Sequence, residues 1–234
     1  MAEPRPREWK KFLIAGLLGV LIGAVAMAAA SGYFVESYLL RNPEIIPQAM
    51  QRLQEREEAQ AVANNREALE TPFYSAWAGA EEPDAVLVEF FDYACGFCRA
   101  SNADIDRLLR EDPKLRVVWR EWPVLGRDSE AAAVASLLAA RRGRYKAFYD
   151  ALFALGRPTA ANIEQALRQA GLDPAEAAAY REAPEVRAEI QRNHMLARAL
   201  GANGTPTFVV GDEVLIGAVG YDALRQAIAK AREG

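Results

Sequence analysis

The chain contains 234 residues, of which 51% are hydrophobic, and its formal net charge at neutral pH is −4. This length allows one domain with a sizeable core and an additional segment, and the slightly acidic balance lacks the basic surface expected of a nucleic-acid-binding protein. With two cysteines and one histidine, a zinc site with four Cys or His ligands cannot form within one chain, and a disulfide-rich scaffold is also excluded.

The first 35 residues have the features of an export segment. An uncharged run over 12–35 follows four basic residues, Arg5, Arg7, Lys10 and Lys11. As a helix the run would extend roughly 36 Å at ~1.5 Å per residue, enough for a hydrocarbon layer of about 30 Å. The basic flank predicts a cytoplasmic N-terminus and export of the rest. Residues 1–35 are interpreted as a retained single-pass anchor in the inner membrane; the alternative is a signal peptide cleaved after Ala30.

Residues 36–70 are dominated by charged and amide side chains. A short amphipathic helix is predicted here, because apolar residues recur every three to four positions, at Ile45, Ile46, Ala49, Met50 and Leu53. Asn42 is a candidate N-cap and Pro43 a candidate first helical residue. The helix has too little apolar surface to fold alone. It is therefore either a solvated stalk or a self-association helix.

Residues 71–234 are predicted to form one globular domain. Apolar runs predict strands over 85–93 and 115–122 with a helix between them, and such a β-α-β unit implies a parallel pair with a right-handed crossover. A stretch rich in Ala, Leu and Arg, over about 128–200, is too long for a simple connection and predicts an inserted helical lobe. Strands over 207–210 and 214–216, joined by a turn at Gly211-Asp212, and a helix from Tyr221 to about Ala231 complete the domain.

The two cysteines occur as Cys95-Gly96-Phe97-Cys98, between the first predicted strand and the following helix. Residues i and i+3 share one face of a helix, so Cys95 and Cys98 can form a disulfide across one turn. At the helix N-terminus, Cys95 would face unpaired N–H groups and the positive end of the helix dipole, which stabilise a thiolate. We therefore expect Cys95 to be the nucleophile and Cys98 the resolving thiol of disulfide exchange. Metal sites use the same spacing, but the sequence offers no second pair of ligands.

Two further features accompany the dithiol. Glu89 is the only charged residue in the apolar run 86–91, and a buried carboxylate beside a dithiol can accept the proton of the resolving cysteine. The alternative is a strand-end carboxylate that faces solvent. Thr205-Pro206 precedes a predicted strand and is a candidate cis bond, which would present a backbone edge to a substrate strand beside the sulfurs. The alternative is an ordinary trans proline.

Three of these segments resemble a known family. Segment 88–99 (VEFFDYACGFCR) is similar to the active-site segment of DsbA-family thioredoxin-fold oxidoreductases. Segment 201–208 (GANGTPTF) resembles that family's cis-proline loop, and the stretch around 143–148 (GRYKAF) resembles its inserted helical domain. The resemblance implies an α/β thioredoxin-like fold with a helical insertion, a cis Thr205–Pro206 bond and the buried-acid role for Glu89. Segment 37–54 resembles the N-terminal extension of ScsC-type proteins, linked to copper sensitivity. In that subgroup the extension can mediate oligomerisation, so the resemblance favours a self-association helix, and a homo-oligomer through residues 36–70, over a solvated stalk.

The sequence therefore predicts a periplasm-facing thiol–disulfide oxidoreductase that forms or rearranges disulfides in exported proteins with cysteines. The predicted site has three catalytic residues, Cys95, Cys98 and Glu89, and four substrate contacts, Thr205, Pro206, Gly96 and Phe97. No bound cofactor and no metal is expected, because the dithiol carries the electrons, but a redox partner must reset it. Since no His precedes Cys98 to favour a thiolate, the direction is left open between oxidase, isomerase and reductase. The alternative function is Cu(I) binding by the same two thiolates.

Overall fold

The computed structural model describes residues 8–233, and the chain divides into two compact units, Met1–Gln54 and Glu55–Gly234. In the first unit, α1 (Glu8–Arg41) ends where the side-chain amide of Asn42 donates to the Tyr38 carbonyl oxygen over 2.8 Å. The prediction that Asn42 begins the next helix is therefore wrong: it caps the end of α1, and α2 (Ile45–Glu70) starts three residues later. Within the part of the chain that the structure describes, no helix is both long and apolar enough to cross a membrane.

The sheet of the second unit has five strands, β1 (Trp77–Gly79), β2 (Ala85–Phe91), β3 (Leu115–Glu121), β4 (Thr207–Val210) and β5 (Glu213–Ile216). Their order across the sheet is β1-β3-β2-β4-β5. As predicted, β2 and β3 are parallel and are connected by a helix, α3 (Gly96–Glu111), whereas all other neighbouring strands are antiparallel. The central position of β2 places the end of this strand, and the start of α3, in the middle of the sheet edge.

Both faces of the sheet are covered, which explains the near-continuous apolar sequence of β2. Leu87 and Phe91 belong to the main core together with residues of α3, and strand alternation puts Glu89, which lies between them, on the same face. The opposite face carries a second cluster, which includes Val62, Leu69, Val88 and Phe90. Val62 and Leu69 come from the second half of α2, so this half of the helix is part of the catalytic unit's core.

Five described helices connect β3 to β4, within the predicted insertion at about 128–200: α4 (Arg127–Arg141), α5 (Tyr145–Leu155), α6 (Ala160–Gln169), α7 (Pro174–Tyr180) and α8 (Pro184–Ala199). Residues 132–140 of α4 are all buried, because α4 contacts α5, α6 and α7. The C-terminal helix, α9 (Tyr221–Ala231), has the predicted bounds and packs on α3. The insertion thereby brings α5 next to the main core.

A buried arginine fixes the end of α2 to the sheet. Arg120, on β3, is 1% exposed; its Nη2 atom donates to the Leu69 carbonyl oxygen over 2.9 Å, and further bonds go to the carbonyl oxygens of Ala68 and Thr71. Its Nη1 atom forms an ion pair with Glu189 of α8 over 2.9 Å. Ala68 and Leu69 lie in the last turn of α2, where carbonyl groups have no partner within the helix, so Arg120 acts as their cap. The predicted stalk, 36–70, is thus divided between the two units.

Candidate active site

The loop before the dithiol is fixed by the buried carboxylate of Asp92, the residue that follows β2. Its Oδ2 atom accepts from the backbone N–H groups of Val124 (2.8 Å) and Leu125 (2.9 Å). Its Oδ1 atom accepts from the N–H of Ala94 (2.8 Å), and its carbonyl oxygen accepts from the N–H of Cys95 (3.0 Å). Asp92 therefore joins the end of β2 to the loop after β3 and sets the position of Cys95.

Cys95 occupies the N-cap of α3, as the sequence predicts. The N–H of Cys98 donates to Cys95 Sγ over 3.4 Å, and the positive end of the helix dipole faces the same sulfur. Both cysteines are free thiols, with Cys95 6% exposed and Cys98 fully buried. Gly96 and Phe97 between them are exposed, which leaves the outer rim of the dithiol accessible to a second protein.

The two thiols lie in different environments. Burial raises the pKa of Cys98 far above its ordinary value, and the nearby Glu89 carboxylate raises it further. A thiol in such a site is an effective nucleophile only when a neighbouring base takes its proton. Cys98 therefore depends on a proton acceptor, whereas the sulfur of Cys95 lies at the helix N-terminus and close to the surface.

Glu89 is fully buried, so the alternative of a solvent-facing carboxylate is wrong. Burial raises its pKa from the ordinary 4.5 to about 8, and the hydrogen bond from the side chain of Tyr149 only partly opposes this. The hydroxyl of Tyr149 lies 3.3 Å from Glu89 Oε2, while Oε1 has no hydrogen-bond partner. A carboxyl group with a pKa near neutrality can both hold and release a proton under physiological conditions.

The second predicted loop lies against the dithiol. The Thr205–Pro206 peptide bond is cis, as predicted, and the Cys95 thiol donates to the carbonyl oxygen of Thr205 over 3.2 Å. The Thr207 hydroxyl donates to the Gly204 carbonyl oxygen over 2.7 Å, which holds the turn at the start of β4. Residues separated by more than one hundred positions in the sequence thereby meet at one sulfur atom.

Three residues at this site were not identified from the sequence. Asp92 gave a local signal, since it is an acidic residue directly after a buried strand and shortly before the dithiol. Tyr149 and Asn102 gave none: the Tyr149 hydroxyl reaches Asn102 Oδ1 over 2.7 Å, across 47 positions of sequence, because α5 of the insertion packs beside α3. Among the residues that the structure describes, no group of three or more His, Cys, Asp and Glu side chains is arranged to hold a metal ion.

An N-capping free thiol, a buried partner thiol and a buried acid under a β-α-β unit define a thiol–disulfide oxidoreductase of thioredoxin type. The chain belongs to the family of DSBA-like thioredoxin domains, whose model matches residues 86–229. The N-terminal domain of the copper resistance protein ScsC matches residues 32–60. Both matches agree with the resemblances found in the sequence.

Solved structures give the same assignment for the domain, and the curated proteins that match it carry a different name. A thioredoxin-like oxidoreductase from Silicibacter pomeroyi is 42% identical, with a TM-score of 0.65 over 68% of this chain and 92% of that one. ScsC of Proteus mirabilis, in a transitional conformation, is 27% identical, with a TM-score of 0.67 over 89% of this chain and 98% of that one. A curated Na(+)/H(+) antiporter NhaA of Herminiimonas arsenicoxydans is 33% identical over 62% of this chain. The chain spans about a quarter of the length of the curated relatives it matches.

Proposed function

We propose that this protein forms or rearranges disulfides in exported proteins through the Cys95–Cys98 dithiol, with Glu89 as the proton acceptor and donor. The observation that carries the proposal is the position of Cys95 Sγ. This atom accepts from the Cys98 N–H at the start of α3 and contacts the Thr205 carbonyl oxygen at 3.2 Å. A substrate cysteine that approaches the exposed side of Cys95 would lie beside both the helix N-terminus and the Thr205–Pro206 turn.

Substrate oxidation starts from the disulfide form of the site. A substrate thiolate attacks Cys95 Sγ, the Cys95–Cys98 bond breaks, and Cys98 leaves with the electron pair and takes a proton from Glu89. A second substrate thiolate then attacks the substrate sulfur of the mixed disulfide, and Cys95 leaves as a thiolate. The substrate has lost two electrons and the dithiol has gained them. A redox partner restores the disulfide by the reverse exchange.

Release of a trapped substrate runs through Cys98. The Glu89 carboxylate takes the proton of Cys98, the Cys98 sulfur attacks Cys95 Sγ, and the substrate sulfur leaves with the electron pair. Isomerisation needs two exchange steps. The Cys95 thiolate first opens a substrate disulfide, and a different substrate thiolate then displaces Cys95. Gly96, Phe97, Thr205 and Pro206 would contact the substrate around the sulfur.

The direct test is equilibrium titration of the dithiol against glutathione, with resolution of a Cys95–glutathione mixed disulfide followed by stopped flow. The proposal requires reversible two-electron exchange that Cys95→Ser abolishes, a mixed disulfide that accumulates in Cys98→Ser, and slower resolution in Glu89→Gln. An unchanged rate in Glu89→Gln would remove the proton role. A dithiol that does not exchange with glutathione but retains Cu(I) would instead support the copper-binding alternative, which is favoured by the match to the N-terminal domain of a copper resistance protein.

Export through residues 1–35 is part of the proposal, in a compartment that allows a dithiol to cycle. The uncharged run at 12–35 and its basic flank support it, with the segment either retained as an anchor or cleaved after Ala30. N-terminal peptide mapping of protein purified from membrane and periplasmic fractions distinguishes these: a mature start at Ser31 overturns the anchor.

Self-association through residues 36–70 is supported by an exposed apolar stripe at the start of α2. Ile46, Met50 and Leu53 are each more than half exposed and are spaced by about one helical turn, so they lie on one face. Light scattering on the full chain tests this, with Met50→Glu as the disrupting variant and exposed Gln48→Glu as the matched control. The proposal requires an oligomer that dissociates only with Met50→Glu; a monomer in all three proteins contradicts it.

A further inference from the structure

One hydroxyl group lies between the buried acid and a second acceptor. Tyr149 is 2% exposed, and its hydroxyl oxygen is 3.3 Å from Glu89 Oε2 and 2.7 Å from Asn102 Oδ1. A tyrosine hydroxyl has one proton to donate, so Tyr149 can donate to Glu89 or to Asn102, but not to both with good geometry. Asn102 lies on α3, one turn after Cys98, so the arrangement connects the acid to the helix that carries the dithiol.

We propose that Tyr149 and Asn102 are positioning residues that set how readily Glu89 takes up and releases its proton, with the Tyr149 hydroxyl switching its donated hydrogen bond between the two. This inference rests on the proposed proton role of Glu89. It adds two residues from outside the dithiol and proline loops to the exchange reaction.

The distances correspond to one of the two positions of the switch. When Glu89 is neutral, its carboxyl proton can be donated to the Tyr149 oxygen, and the Tyr149 proton then goes to Asn102, where the shorter contact of 2.7 Å is found. When Cys98 gives its proton to Glu89, or Glu89 returns it, the Tyr149 hydroxyl changes its hydrogen-bond partner by a rotation about its C–O bond alone. No bond other than the S–H and O–H bonds is exchanged in this step, and no electrons are transferred to another group.

The two residues act in opposite directions on the acid. A hydrogen bond donated to the carboxylate favours its charged form, so donation from Tyr149 lowers the pKa of Glu89, in agreement with the direction of this effect at the site. Asn102 competes for the same proton and thus opposes that stabilisation. Removing Tyr149 donation and removing Asn102 competition must therefore shift the protonation midpoint of Glu89 in opposite directions.

Other titratable groups face Glu89 from each neighbouring element. These are Cys98 on α3, Glu121 on β3, Tyr93 after β2 and Tyr149 on α5. On β4, the residue paired with Glu89 is the apolar Phe208. Lys146 lies 6.0 Å from the Tyr149 ring, but its ammonium group is already paired with Asp106 and Asp150. The hydroxyl of Tyr149 is thus placed to change the pKa of Glu89 through a hydrogen bond, without carrying a net charge itself.

The test measures the Glu89 midpoint in the reduced full-length protein by ¹³C NMR of the labelled carboxyl group, together with the pH profile of resolution of the Cys95–glutathione mixed disulfide. Because a hydrogen bond to a charged group corresponds to roughly one pH unit or somewhat more, and the Tyr149–Glu89 contact is long, we expect Tyr149→Phe to raise both midpoints by about 0.5–1 unit. Asn102→Leu, an apolar replacement of similar size, is expected to lower both by a comparable amount.

Tyr145→Phe is the matched control, because it removes a buried hydroxyl from the same helix that donates to Glu121 instead of Glu89. It should leave the Glu89 midpoint within about 0.2 units, the reproducibility needed to resolve shifts of the expected size. Shifts in the same direction for Tyr149→Phe and Asn102→Leu, or no shift in either, overturn the inference. The proposed function fails separately: if Glu89→Gln leaves resolution unchanged while the NMR midpoints still shift in opposite directions, the switch exists but Glu89 does not carry the proton.

Discussion

Replacement of the buried acid by its neutral amide, Glu89→Gln, is predicted to stabilise the protein in a pH-dependent manner. In the folded state the pKa of Glu89 is raised to about 8 by burial, against an ordinary value of 4.5. Folding therefore requires the carboxyl group to retain a proton that the unfolded chain releases. The stability associated with this group is fully present below pH 4.5 and is lost as the pH rises towards 8.

The magnitude follows from the same values. Each pKa unit corresponds to about 1.36 kcal/mol, and pH 7 lies about 2.5 units above the unfolded-state pKa, so the free-energy penalty is about 3 kcal/mol at pH 7 and below about 1 kcal/mol at pH 5. Glutamine has nearly the same shape and does not titrate. Any constant cost of its buried amide cancels when the variant is compared with the wild type at two pH values.

The measurement is urea-induced unfolding of the reduced proteins at pH 5, 6, 7 and 8, followed by tryptophan fluorescence. The difference in unfolding free energy between Glu89→Gln and wild type should move in favour of the variant by about 2 kcal/mol or more between pH 5 and pH 7. Glu164→Gln, which alters an exposed pair with Arg168, is the control and should change by less than about 0.5 kcal/mol. A difference that is constant with pH, or that falls as the pH rises, would refute the assignment of a raised pKa to Glu89.

Three further predictions concern the scaffold, each measured by urea unfolding at pH 7. Arg120→Met should lower the unfolding free energy by about 3–5 kcal/mol, because a buried ion pair loses one partner. Exposed Arg168→Met should lower it by at most about 1 kcal/mol. Equal losses in the two variants contradict the capping role of Arg120. Gly79→Ala should lower the unfolding free energy by at least about 1–3 kcal/mol, because the added Cβ would lie 2.2 Å from a backbone oxygen and the residue has φ +102°. Gly96→Ala should be near neutral, because no atom lies within 4 Å of the position that its Cβ would take. Asp92→Ala should lower the unfolding free energy by at least about 1–3 kcal/mol, because it leaves N–H groups unpaired. A change below about 0.5 kcal/mol argues against the role of Asp92 in joining the end of β2 to the loop after β3.

The parts of the fold that the sequence predicts correctly are those encoded by short-range patterns. The apolar run of β2, the N-capping position of Cys95 and the bounds of α9 all depend on residues within a few positions of one another. Strand β1 was not predicted, because three residues are too few to show an alternating pattern. The N-cap prediction for Asn42 failed for a related reason: the same side chain can cap the end of one helix or the start of the next, and local sequence does not distinguish them.

Contacts across long sequence separations were not predictable. Arg120 reaches α2 across 51 positions, and its sequence context, within an apolar strand, gives no indication of which carbonyl groups it caps. The contact of Tyr149 with Glu89 spans 60 positions and depends on how the inserted helices pack against the sheet. Glu89 could thus be selected as the candidate acid from the sequence of one strand, but its contact with Tyr149 depends on the insertion.

The environment of Glu89 also bears on the direction of the reaction. In the proposed mechanism, substrate oxidation requires Glu89 to give a proton to Cys98, and substrate release requires it to accept one. With a pKa raised to about 8, Glu89 holds its proton in most molecules at pH 7, and a minority can accept one. Because the proposed mechanism uses Glu89 in both directions, we infer that the redox partner, more than proton transfer at Glu89, decides whether the protein oxidises, isomerises or reduces its substrates.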